Sequence, residues 1–266
     1  MTADELQRRS GLPRTEARTL LAFALGVARE HLIAHPDVPV ASARADAFAT
    51  LVQRRAHGEP IAYLVEAQEF YGRSFAVTPD VLIPRPDTET LVDTVLDCVR
   101  AAHAARVLEL GTGSGCVAVT LKLERPDLEV IATDISPAAL AVARRNSAAF
   151  RAEVDFRPGD WYAAAPPGPF DLIVSNPPYV AATDPHLAAL AHEPMLALTD
   201  RGDGLGCLRH VISGAPDRLR RPGWLVVEHG YDQSRPVHDL MAAAGFAGPR
   251  ALSDVAGHRR VTRGDW

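Results

Sequence analysis

Arg106-Val107-Leu108-Glu109-Leu110-Gly111-Thr112-Gly113-Ser114-Gly115-Cys116-Val117-Ala118-Val119-Thr120-Leu121 reads as a short buried strand, a glycine turn and an apolar helix in immediate succession. Glycines at alternate positions let the backbone turn tightly and approach a ligand where a side chain would block it. A dinucleotide fingerprint needs a further glycine three positions after Gly113, and that position is Cys116. Gly-x-Gly-x-Gly suits a nucleoside carrying an amino-acid tail better than a pyrophosphate, an ordinary tight connection being the alternative reading.

Outward from this turn the pattern repeats. Strands are expected near residues 106–110, 128–133, 153–157, 171–175 and 224–229, with helices between them. Such alternation predicts a mainly parallel, doubly wound sheet, and right-handed crossovers place the strand ends on one rim. Asp134 closes the second strand about twenty residues beyond the glycine turn, where a ribose-binding carboxylate belongs in this architecture. Ser136 is a helix cap with Pro137 at the first helical position, starting a helix that runs to about Asn146. Gly159-Asp160-Trp161 follows the third strand; an acid and an aromatic there can hold an adenine edge and face, although Trp161 is equally readable as core.

The fourth strand, Phe170-Asp171-Leu172-Ile173-Val174-Ser175, leads straight into Asn176-Pro177-Pro178-Tyr179. Two prolines remove two backbone donors and stiffen the chain, so the Asn176 side-chain oxygen and nearby carbonyls face a ligand as acceptors. A planar group bearing N–H donors is what such a pocket accepts, and Tyr179 offers an aromatic face for it. A stiff turn is the bland alternative.

The chain has 266 residues, a formal net charge of −5 and 47% hydrophobic residues, the composition of an ordinary globular protein. An acidic balance without blocks of like charge weighs against a nucleic-acid backbone as the main partner. No apolar stretch approaches the roughly twenty residues of a membrane span, and Asp4, Glu5, Arg8 and Arg9 leave no signal-peptide core, so the expected location is the cytoplasm. Cys98, Cys116 and Cys207 form neither a disulfide framework nor a zinc spacing and are expected as small buried fillers; no metal site is expected, and a monomer is.

The first 72 residues are expected to form a helical bundle. Leu20, Leu21, Ala24, Leu25, Ala28 and Leu32 recur at helical spacing from about Thr15 to Ile33, and His35-Pro36-Asp37 with Pro39 stop that helix. Ser42 can cap the next, whose inner face is Phe48, Leu51 and Val52 and which Gly58 and Pro60 close. Arg54 and Arg55 read as a solvated face, the alternative being a contact for an acidic partner. Residues 73–86 form a hairpin or linker within the strand-like stretch Glu69 to Pro86, and residues 87–266 the α/β domain, beginning with a helix marked by Leu91, Val92, Val95, Leu96 and Val99.

These residues together resemble the HemK/PrmC family of bacterial glutamine methyltransferases. The resemblance covers nearly the whole chain: Ile83-Pro84-Arg85-Pro86-Asp87-Thr88-Glu89, Glu109 to Gly115, Thr133-Asp134-Ile135-Ser136, Gly159-Asp160-Trp161, Ser175 to Tyr179, Glu193-Pro194, Ala197-Leu198, Asp203-Gly204-Leu205 and Asp254 to Val261. Asn-Pro-Pro-Tyr is shared with adenine methyltransferases, whereas Pro-Arg-Pro-x-Thr-Glu is much more particular to this family. The resemblance implies a class I, Rossmann-like methyltransferase domain with a seven-stranded sheet, preceded by a helical substrate-recognition domain. It implies S-adenosylmethionine as cofactor, contacted by Gly111, Thr112, Gly113, Ser114, Gly115, Asp134, Trp161 and Asn176. It also implies a glutamine of peptide chain release factors as substrate, received by Asn176, Pro177, Pro178 and Tyr179, with Asn176, Pro177 and Tyr179 carrying the catalysis. A ribosomal-protein glutamine, an adenine amine in DNA or RNA, and a silent nucleotide-binding module are the competing expectations.

Overall fold

The computed structural model describes residues 1–266, which divide into two compact units, Met1–Ala67 and Gln68–Trp266. The first holds α1 (Ala3–Arg9), α2 (Arg14–Leu25), α3 (Arg29–Ala34), α4 (Ser42–Ala56) and α5 (Ile61–Leu64) around Leu20, Leu21, Leu32, Phe48 and Leu51. The single helix expected from Thr15 to Ile33 is two helices. Gly26 takes a left-handed conformation at φ 71° and caps α2, which an apolar periodicity running on through Ala28 and Leu32 does not reveal. Ser42 is inside α4 rather than its cap, the N-cap being Ala41 without a side-chain bond. α1 has its own capping box between Thr2 and Glu5. Arg54 and Arg55 are neither a bare solvated face nor a free docking patch. Arg54 pairs with Glu59, and Arg55 holds Glu16 of α2 in a fork at 2.7 and 3.1 Å.

The strand pair lies earlier than expected, as β1 (Ala67–Phe70) and β2 (Arg73–Ala76); residues 77–85 carry no strand. Tyr71 at φ 52° and Gly72 at φ 69° make the tight connection that sets its position. α6 (Glu89–Cys98) follows, and then β3 (Arg106–Leu110), α7 (Cys116–Glu124), β4 (Glu129–Asp134), α8 (Pro137–Phe150), β5 (Asp155–Pro158) and β6 (Phe170–Ser175). After a long connection containing α9 (Met195–Leu198) come α10 (Gly206–Gly214), β7 (Leu219–Glu228), α11 (Ser234–Ala243), β8 (Ala247–Ser253) and β9 (Arg259–Asp265).

Seven strands form one sheet in the order β5-β4-β3-β6-β7-β9-β8, parallel except for β9, which runs antiparallel to both β7 and β8. The sheet is apolar on both faces, as an alternating strand–helix order requires. Val107, Val130, Leu172 and Val174 enter one core with α6 and α7, while Leu108, Leu110, Ile131, Ile173 and Val227 enter the other with α10 and α11. This is the class I methyltransferase architecture. β3 lies where the strand order reverses, with β4 on one side and β6 on the other, so its carboxyl end opens a crevice at the switch point.

Gly115 joins the turn to α7 at φ 79°, and a Cβ there would sit 3.0 Å from Ala143 Cβ and 3.1 Å from its Cα in α8. Backbone strain and the close approach of α8 act together, so Gly115→Ala should destabilise the protein by about 1–3 kcal/mol. The midpoint of urea unfolding measures this.

Candidate active site

Four strand ends build one cavity of about 620 Å³, a size that suits a small-molecule ligand. Its wall includes Gly111, Thr112, Gly113, Ser114, Asp134, Trp161, Asn176 and Pro178. Register explains the convergence. Leu110 pairs with Thr133 and with Ser175, which sets Gly111, Asp134 and Asn176 side by side. The Thr133 carbonyl accepts the N–H groups of Gly111 and Thr112 at 2.9 and 3.0 Å, and the Ser175 hydroxyl donates to the Leu110 carbonyl at 2.8 Å.

Asp134 does more than face a ligand. Its two carboxylate oxygens accept from Gly113 N at 2.8 Å and Ser136 N at 2.9 Å, tying the glycine turn to the start of α8. Burial pushes its pKa up against these two hydrogen bonds. Each oxygen keeps a lone pair, so the carboxylate can still take a hydroxyl. Ser136 caps α8 by accepting from Ala139 N, and the helix continues past Asn146 to Phe150.

A Cβ on Gly113 would meet nothing within 4 Å, and one on Gly111 would approach Trp161 at 3.7 Å, so a side chain at either would enter the space. Gly115 is the exception among the expected contacts: it does not line the cavity but packs against α8. Trp161, at φ 39°, lines the cavity with its ring centroid 6.0 Å from that of His210. Cys207 departs from the expected buried filler, being half-buried on the same wall.

Of the tetrapeptide, Asn176 and Pro178 line the cavity, whereas Pro177 and Tyr179 do not. Asn176 Nδ2 donates to Thr88 Oγ1 at 3.3 Å, leaving the oxygen as the end of the amide open to a ligand. Tyr179 does not offer its face to this space. Its ring packs on the core and its hydroxyl donates to Glu228 Oε1 at 3.2 Å. Burial raises the Tyr179 pKa far above its ordinary value, so the phenol stays protonated.

Several site groups carry no obvious local signal. Glu109, buried within β3, lines the cavity and accepts from the Thr112 hydroxyl at 2.7 Å and from Ala118 N at 3.1 Å. An acid interrupting the apolar run Val107-Leu108 and Leu110 is the sign that could have marked it. Glu193 accepts from Ile83 N at 3.0 Å and pairs with Arg85, pinning the segment before α6 to the connection after β6. Thr88 and Glu228 emerge only once the chain is folded. No group of three or more His, Cys, Asp or Glu side chains is placed to hold a metal ion, and no helix is long and apolar enough to cross a membrane.

The sequence matches the PrmC N-terminal domain over residues 1–65 and the methyltransferase small domain over residues 87–203. It is 47% identical to the release factor glutamine methyltransferase of Neisseria gonorrhoeae, across 100% of this chain and 98% of that protein. The family is settled by that identity over the full length. This chain belongs to the release factor glutamine methyltransferase family. The member from Bordetella pertussis is 49% identical across 96% of this chain and 95% of its own. The fold is shared more widely: the T. thermophilus 16S rRNA N2 G1207 methyltransferase, solved with AdoMet and guanosine, is similar at a TM-score of 0.56 and 17% identity, covering 75% of this chain and 49% of that one. As a member of this family the chain is an S-adenosylmethionine-dependent methyltransferase.

Burial pushes the Glu109 carboxyl up to about 8, outweighing its hydrogen bonds from Thr112 and Ala118. A raised acid stabilises the fold below its ordinary value of 4.5, and that contribution is lost as pH rises through the folded value. Between pH 5 and 8 the protein should therefore lose roughly 3–4 kcal/mol more stability than Glu109→Gln. Thermal melts of the two proteins across that range provide the measurement.

Proposed function

We propose that this chain methylates the side-chain amide nitrogen, N5, of the glutamine in the Gly-Gly-Gln motif of bacterial class I peptide chain release factors, with S-adenosylmethionine as donor. The observation that carries the reading is Asn176 on the cavity wall with its nitrogen committed to Thr88, so that its oxygen is available to accept from an incoming amide. The glycine turn fits the cofactor, since side chains at Gly111 and Gly113 would intrude on the cavity. Gly111 to Ser114 and Trp161 would enclose it, Asp134 would accept from its ribose hydroxyls, Asn176 would stand beside it, and Gly115 would keep the turn close to α8. When bound, the cofactor supplies a methyl group on a positively charged sulfur.

The rest is the work of the chain. A carboxamide nitrogen is a poor nucleophile because its lone pair is delocalised into the carbonyl. Asn176 Oδ1 accepts from its N–H and holds the nitrogen with its lone pair turned toward the donor. Pro178 forms the adjacent wall, and Tyr179 stiffens the bend from behind through Glu228. Catalysis rests on orientation and preorganised acceptors rather than on a dedicated base, the nitrogen releasing one of its two protons to water once it carries the methyl group. The same acceptors exclude glutamate, whose oxygens would oppose them; such a mismatch costs about 1–3 kcal/mol, more when charged. The N-terminal helices are assigned to recognition of the protein substrate, a role their match to the PrmC N-terminal domain supports. The net charge of −5 favours a protein over a nucleic acid.

Labelled S-adenosylmethionine offered with release factor, with a large-subunit ribosomal protein and with DNA should mark release factor alone, and the mark should vanish when the motif glutamine is changed to alanine. Label on either of the others instead would overturn the assignment. Asn176→Ala should lower turnover by about a hundredfold or more with little change in cofactor affinity. Asp134→Ala should do the reverse, weakening cofactor binding at least about tenfold by calorimetry.

A further inference from the structure

Asn146 in α8 is 1% exposed and divides its amide between two separate segments of the chain. Its Oδ1 accepts from Ala76 N at 2.8 Å, and its Nδ2 donates to the Ala76 carbonyl at 3.0 Å and to the Ser114 carbonyl at 2.8 Å. Toward Ala76 it stands in for a neighbouring strand, pairing both backbone groups at the end of β2. Toward Ser114 it meets a carbonyl just ahead of α7, where Ala118 N, four residues on, donates to Glu109 Oε2 instead. Ser114 lines the cavity. The chain beyond Ala76 lines it as well, through Asp80, Val81, Leu82, Pro84 and Arg85, and its far end is pinned where Ile83 N donates to Glu193.

We infer that Asn146 is a positioning residue for the cofactor, holding the glycine turn and the segment after β2 at the separation that lets both meet S-adenosylmethionine. One N–H of Ala76 asks for an acceptor and two carbonyls ask for donors, a set that an amide answers in full. Turned over, the side chain would set its oxygen against both carbonyls, so the three bonds fix its orientation as well as its place. Gly115, packed on Ala143 of the same helix, sets how closely the turn approaches α8. Asn146, three residues after Ala143, carries that placement across to Ala76 and so to the wall that begins a few residues later. Without the amide, three backbone groups lose their partners in a largely buried setting and the two wall segments lose their common anchor.

The role rests on the reading of the glycine turn and Asp134 as the seat of the cofactor, and calorimetric titration of the full chain with S-adenosylmethionine separates the two. Asn146→Asp keeps the shape and the acceptor but sets an oxygen against two carbonyls; Asn146→Ala removes the same donors without adding charge and carries the test should the aspartate chain fail to fold. Each should weaken binding at least about tenfold with close to one site per chain retained. Partial unfolding has the opposite signature, fewer sites at an unchanged dissociation constant, and that result would reduce Asn146 to a structural residue. Phe150→Leu supplies the comparison, since Phe150 packs on Phe75 of β2 from the same helix with ring centroids 4.9 Å apart. It should lower the melting temperature and leave the dissociation constant within about twofold. Equal weakening in Phe150→Leu would assign the effect to packing and overturn the role of the amide. An unchanged constant in the Asn146 variants beside a weakened Asp134→Ala would overturn the positioning role alone; an unchanged constant in Asp134→Ala as well would overturn the seat of the cofactor with it.

Discussion

Parallel pairing of β3 with β4 on one side and β6 on the other is the constraint from which the rest of the site follows. The two ladders leave three chain ends at one level, and the groups beyond the last paired residues would otherwise hold unsatisfied backbone atoms. Those atoms are satisfied by the site itself. Thr133 O takes the first two N–H groups of the glycine turn, Asp134 takes the third residue's N–H, and the Ser175 hydroxyl caps the Leu110 carbonyl. The turn is therefore held from β4 and from Glu109 of β3 as well as by its own Gly115 N–H to Thr112 carbonyl bond, and loss of the Asp134 carboxylate would disturb both the ligand wall and the loop that shapes it.

Buried and half-buried carboxylates recur around this rim, each with a different task. Asp134 organises backbone N–H groups, Glu109 takes the Thr112 hydroxyl and the Ala118 N–H at the start of α7, and Glu228 stands behind the Asn-Pro-Pro-Tyr bend. Burial raises the pKa of all three, Glu228 to about 7. A fold that stores several acids in apolar surroundings carries an energetic burden that tightly packed cores on both faces of the sheet must offset. Clustering of such groups at one edge is a signature of function rather than of stability.

The strands, the glycine turn and the acid that follows it were legible because each is a local pattern: an apolar run, a special φ, a strand end. Asn176 was legible for the same reason, standing between a strand and two prolines. Thr88 and Glu228 were not, since a threonine after Pro86-Asp87 and a glutamate at the end of an apolar run gain meaning only when β7 is placed beside β6. Tyr179 was misplaced because an aromatic beside a ligand-binding bend reads as a platform, while its hydroxyl reaches an acid 49 positions away. The break at Gly26 was hidden by an apolar stripe that continues in phase across it. Arg55 and Glu16 lie 39 positions apart, and no periodicity within either helix announces their pairing.

Glu193 is 6% exposed and divides its two oxygens between a main-chain N–H at Ile83 and the guanidinium of Arg85, two residues later. Sliding one of these segments without the other would strand a carboxylate in a dry environment. The two stretches are thus yoked: the Pro-Arg-Pro collar and the chain after β6, which both contribute to the wall of the crevice, shift as a single piece or stay put.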